Sequence, residues 1–61
     1  MNNLKDLKRE VLRLIDMYPK KADELREYYY LAVSEVEGGE SESNECSLAW
    51  RDMSQLVDED E

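Results

Sequence analysis

A chain of 61 residues with a net charge of −8 holds at most one domain, and a domain of that size buries only about 60% of the surface its unfolded chain exposes. Sixteen acids against eight bases disfavour direct binding to nucleic acid phosphates, the single cysteine excludes an internal disulfide, and the lack of histidine removes both the usual general base and a common metal ligand. Small domains offset a thin core with disulfides, a metal or oligomerisation; here self-association is the remedy that remains.

Leu4, Leu7, Val11, Leu14 and Tyr18 recur with 3-4-3-4 spacing, joined by Ile15, and predict an amphipathic helix over residues 3–17. Asn2 or Asn3 caps it, with Asp6 three residues after Asn3 in the manner of a capping box. The bases Lys5, Lys8, Arg9 and Arg13 alternate with Asp6, Glu10 and Asp16, the pattern of a solvated face and not of a nucleic-acid surface. Pro19 ends this helix near Met17, because it lacks a backbone donor and biases Tyr18 away from helical dihedrals. Proline is also favoured in a first helical turn, so a second helix is expected over residues 20–37, antiparallel to the first if the break is a turn and continuous with it if the break is a kink.

On the second helix Ala22, Leu25, Tyr29, Ala32 and Val36 form another stripe, flanked by Tyr28 and Val33. Tyr30 and Leu31 fall about 120° or more from its centre, among polar neighbours. Either the third helix packs over one of them, or they mark a surface for a second chain, as the enrichment of tyrosine at interfaces suggests. Gly38 and Gly39 stop this helix, and "GGESESNE" reads as a solvated acidic connection.

Ser43 or Asn44 is expected to cap a third helix over residues 45–57, with Glu40, Glu42 and Glu45 near its positive end. Cys46, Ala49, Trp50, Met53, Leu56 and Val57 share one apolar arc. This face either completes the protein's own core, with Trp50 its largest contributor, or enters a partner's groove through Trp50, Met53 and Val57. The acids of residues 58–61 oppose the negative helix end, so fraying is expected from Val57 onward into a disordered acidic tail.

The chemistry available is meagre. The carboxylates fall on polar faces, in the connection or in the tail, where nothing raises a pKa for acid-base work. Cys46 follows Glu45 in an acidic neighbourhood that disfavours thiolate, and reads as a buried small hydrophobe. Gly38-Gly39 lacks the lysine and the strand-to-helix context of a phosphate loop, and residues 40–45 lack the acid spacing and internal glycine of a calcium loop. No catalytic residue, cofactor or metal is assigned.

Charge is distributed unevenly, with seven bases and six acids in residues 1–33 (+1) and one base, Arg51, against ten acids in residues 34–61 (−9). The expectation is therefore an all-α protein, a helical hairpin plus a short C-terminal helix forming one domain over residues 1–57, with the third helix laid across the first two and the whole assembled as a homodimer. The expected core is Leu4, Leu7, Val11, Leu14, Leu25, Tyr29, Ala32, Val36 and Trp50. The expected function is a non-enzymatic interaction and regulatory module that binds a host or cellular protein through Tyr28, Tyr30, Leu31, Trp50 and Met53. No apolar stretch approaches the roughly 20 residues that span a bilayer, and no secretory leader pattern is present, so a cytoplasmic location is expected. The alternative is an acidic nucleic-acid mimic of the phage or mobile-element accessory type, blocking a basic DNA- or RNA-binding protein.

Overall fold

The computed structural model describes residues 2–59. Three α-helices, α1 (Leu4–Met17), α2 (Ala22–Glu37) and α3 (Glu42–Glu59), pack side by side with no strand among the described residues. The molecule measures 34 × 16 × 16 Å. An 18-residue helix is about 27 Å long, so all three helices must run along the long axis. The third helix therefore lies alongside the hairpin and is not laid across it.

α1 begins where its cap dictates. Asn3 adopts an extended conformation and its Oδ1 accepts from the Asp6 backbone N–H at 2.8 Å. The Asp6 carboxylate accepts in return from the Asn3 side-chain amide at 3.2 Å. At the far end Tyr18 leaves the helical region (φ −130°, ψ 67°), and Pro19–Lys21 forms one turn of 3-10 helix. The break is thus a turn, and α2 runs back along α1.

α2 ends in a Schellman motif. The Glu40 N–H donates to Glu35 O at 3.0 Å and the Gly39 N–H to Val36 O at 3.1 Å, which satisfies carbonyls the helix leaves open. Gly39 has φ +107°, a region L-residues rarely enter, whereas Gly38 is right-handed at φ −79°. Only Gly39 is required by the backbone.

α3 starts three residues earlier than its acidic leader suggests. Ser41 is the cap: its Oγ accepts from the Asn44 N–H at 3.3 Å, and its carbonyl accepts from the Glu45 N–H at 2.9 Å. The Glu42 carboxylate, in the first turn, accepts from the Leu4 backbone N–H at 2.8 Å. One acid thereby sits at the positive ends of two helices and ties the start of α3 to the start of α1. α1 and α3 are consequently parallel to each other and antiparallel to α2.

The opposite end of α3 also differs from expectation, since Asp58 and Glu59 are helical; Asp60 and Glu61 lie outside the described residues. Leu56 and Val57 explain this. Both are buried, each worth about 1.5–3 kcal/mol, against about 1 kcal/mol or less of unfavourable charge-dipole interaction.

The core is built from Leu7, Val11 and Leu14 of α1, Leu25 and Ala32 of α2, and Cys46, Ala49, Met53, Leu56 and Val57 of α3. α3 supplies half of it. Leu4, Tyr29 and Trp50, expected inside, are only partly buried against its edge, and Val36 is half-buried near the end of α2. Helical stepping explains the shift. As the middle helix, α2 turns the Leu25/Ala32 line inward to meet both neighbours, which moves Tyr29 and Val36 toward one margin and Tyr28 toward the other. On α3, the five buried residues Cys46, Ala49, Met53, Leu56 and Val57 define the centre and Trp50 falls about 70° away.

Three ion pairs, Arg9–Asp6 at 3.6 Å, Arg13–Glu10 at 2.7 Å and Arg26–Asp23 at 3.4 Å, are all spaced i,i+3 on one helix and lie at the surface. At such exposed positions, where solvent screens the charges, they add little to stability. None joins one helix to another.

Candidate functional site

The five residues expected to meet a partner fall into three environments. Met53 is 0% exposed and at the centre of the core, so it is not part of the surface; its place on the apolar arc makes it a packing residue. Trp50 and Tyr28 are half-buried on opposite margins of the core. Tyr30 and Leu31 stand in solvent, 62% and 55% exposed.

Leu31 is the hub of the exposed apolar surface. It borders an open dish on the flank of α2 with Tyr30, Asp23, Arg26 and Glu27, and a smaller hollow with Tyr28, Glu24 and Glu27. It also borders the groove between α2 and α3, which is lined by Tyr28, Ala32, Leu48 and Ala49 together with Glu35, Glu45 and Asp52. The third helix therefore reaches the edge of Leu31 without covering it. The Tyr30 ring rests on Tyr29, centroids 5.6 Å apart and planes tilted by 58°, a separation at which aromatic pairs attract.

Leu48 went unassigned from the sequence. It lies about 130° from the centre of the α3 arc and is 39% exposed, and only the placement of α3 against α2 brings it to Leu31. The signal available in the sequence was an isolated leucine off an apolar stripe, which surfaces show routinely. Leu12 is a second such residue, 57% exposed on α1.

The groove is acidic on every side. Its three charged lining residues, Glu35, Glu45 and Asp52, are carboxylates, and the neighbouring hollow adds Glu24 and Glu27. Cys46 belongs to the core and is 0% exposed. Burial pushes its thiol above the ordinary range, and the Glu42 and Glu45 carboxylates add to the rise. It is a packing residue in the sense that its reactive form is suppressed. Among the described residues no group of three or more His, Cys, Asp or Glu is placed to hold a metal ion, and no helix is long and apolar enough to cross a membrane.

No protein family, characterised protein or solved structure matches this chain.

Proposed function

We propose that this chain is a non-enzymatic interaction and regulatory module that self-associates and docks a cellular protein through its apolar helix surfaces. The observation that carries this reading is the cluster around Leu31, in which Tyr30, Leu31 and Leu48 stand exposed next to half-buried Tyr28. Neighbouring exposed apolar side chains of this kind are what a binding surface presents, whereas single scattered ones are ordinary. A small core gives the same surface a second use, because association buries area that a 61-residue chain cannot bury alone. Light scattering at tens of micromolar tests the reading. A mass above the 7.2 kDa of one chain is expected, the dimer being the simplest form, and a single-chain mass throughout would remove the self-association half of the proposal.

A second reading, mimicry of a nucleic acid that occupies a basic cleft, draws support from α3. Mimicry needs carboxylates on a rigid surface, and Glu42, Glu45, Asp52, Asp58 and Glu59 belong to one continuous helix. A basic, nucleic-acid-binding partner held in this way would be lost steeply as salt rises, while an apolar contact would persist. Pull-down at low and high salt separates the two.

A further inference from the structure

The fold sorts charge by helix. Residues 4–17, which form α1, carry four bases against three acids, a balance of +1, and the turn that follows adds Lys20 and Lys21. Residues 22–59, which form α2 and α3, carry two bases against eleven acids, a balance of −9. Lys5, Lys8, Arg9, Leu12, Arg13 and Met17 are all exposed and step around the arc of α1 that faces away from the core. Lys8 and Arg9 precede Leu12 by four and three residues, so they are its surface neighbours. Asp6 and Asp16 stand on the same arc, and Arg9 is shared with Asp6 at 3.6 Å and Arg13 with Glu10 at 2.7 Å, so Lys5 and Lys8 are the bases of this face outside those ion pairs. The exposed leucine of α1 is thus framed mainly by bases, while Leu31 and Leu48 are framed by Glu35, Glu45 and Asp52.

These two surfaces complement each other, and neither complements itself. A two-fold contact through the groove would set three carboxylates of one copy against three of the other, the arrangement in which like charges oppose association. We infer that the acid-lined α2/α3 groove takes the Leu12 face of α1, with Lys5 and Lys8, from a second copy of this chain, making a head-to-tail contact. This rests on the self-association proposed above and specifies its faces. Because the two surfaces lie on different sides of the bundle, the contact is heterologous. Each pair leaves one groove and one α1 face open, and assembly extends with concentration instead of stopping at a closed dimer.

Two variants decide the matter, each altering exposed positions only and replacing them with a neutral helix former. Lys8→Gln/Leu12→Gln removes the α1 face and keeps the groove; Leu31→Gln/Leu48→Gln removes the groove and keeps the α1 face. Far-UV circular dichroism first establishes that both retain wild-type helix content, and sedimentation equilibrium then reads the mass. The expected result is that each variant alone associates at least tenfold more weakly than wild type, while an equimolar mixture forms a one-to-one pair through the intact groove of one and the intact α1 face of the other. Wild-type association should also weaken as NaCl is raised from about 0.05 to about 0.5 M, since the contact is between opposite charges. If the α1 variant associates like wild type, if the mixture associates no better than its parts, or if salt leaves wild-type association unchanged or stronger, the head-to-tail assignment is overturned while self-association by another face stands. A wild-type chain that remains a monomer at every concentration overturns both.

Discussion

Leu25 and Leu31 are six residues apart on α2, chemically identical and opposite in environment, so truncating each to alanine separates core from surface without changing the chemistry removed. Leu25 is fully buried, and removal of a buried leucine side chain costs about 2–5 kcal/mol, the spread reflecting how far the cavity collapses. The total stability that a core of this size supplies is rarely more than about 3–5 kcal/mol. Leu25→Ala should therefore leave the isolated chain largely unfolded. Leu31 retains 55% of its exposure, so less than half of the roughly 1.5–3 kcal/mol of full burial is at stake. Solvent fills the space it leaves, no cavity forms, and alanine is the better helix former. The expected loss for Leu31→Ala is about 1 kcal/mol or less. Urea denaturation followed by the helical circular dichroism signal measures both, in dilute solution and again at high concentration. The proposed self-association would stabilise the folded form by mass action, so under that proposal wild type gains stability with concentration and Leu31→Ala gains less. A dilute Leu31→Ala protein as unstable as Leu25→Ala would show that Leu31 belongs to the core, and the assignment of this surface to binding would fall with it.

Gly39→Ala should destabilise by about 1–2 kcal/mol, the cost of placing an L-residue in left-handed backbone, although no atom lies within 4 Å of the new Cβ. Gly38→Ala, already right-handed and meeting only the Ser34 and Glu35 carbonyls at 3.4 Å, should be neutral or stabilising by about 0.4–1 kcal/mol; chemical denaturation of the two side by side checks the contrast. Ser41→Ala should cost about 0.5–2 kcal/mol through loss of the α3 cap, whereas Ser43→Ala and Asn44→Ala should cost little, and equal losses at the three positions would refute the placement of the cap. The Cys46 thiol has its pKa raised in the folded protein, chiefly by burial, so its contribution to stability is fully present below the unfolded thiol pKa and is lost as pH rises through the folded one. Denaturation from neutral to alkaline pH should therefore show wild type losing more stability than Cys46→Ala across that window, and parallel pH profiles would contradict the environment assigned to the thiol.

The hairpin was legible because its signals are local. The 3-4 stripe of α1, the Asn3 cap and the Pro19 break each act within one turn of helix, and Leu7, Val11 and Leu14 are buried where the spacing puts them. α2 was legible as a helix but not in its rotation. A stripe seven positions wide offers several centres, and which one points inward depends on where the neighbours sit. In the folded chain the Leu25/Ala32 edge of that stripe is the part turned inward, and Tyr29 and Val36 are left half-buried beside it. Tyr30 and Leu31 were found as surplus to the core by the same stepping. Leu48 was not, because its meaning comes only from the helix opposite.

The start of α3 shows most clearly what local reading omits. Glu40, Ser41, Glu42, Ser43 and Asn44 carry no apolar side chain, and by composition they belong to a connection. Yet a helix start needs acceptors for its open N–H groups and tolerates acids there. The same residues are therefore as well suited to a first turn as to a loop. What decides between the two is the Schellman turn, which returns the chain so abruptly that Ser41 is already in place to cap, and the α1 terminus, whose Leu4 N–H is met by Glu42 at 2.8 Å. Glu42→Ala tests this coupling. A charge-assisted hydrogen bond is worth about 1.5–3 kcal/mol in protected settings, and exposure at this site reduces that to about 1 kcal/mol or less. Glu42→Gln retains an acceptor but not the charge, and should fall between wild type and alanine. The effect should appear at both helices, as faster amide hydrogen exchange in the first turn of α1 as well as in that of α3. Faster exchange confined to α3 would mean that the carboxylate serves only its own helix, and that the parallel seating of α1 and α3 is maintained by the core alone.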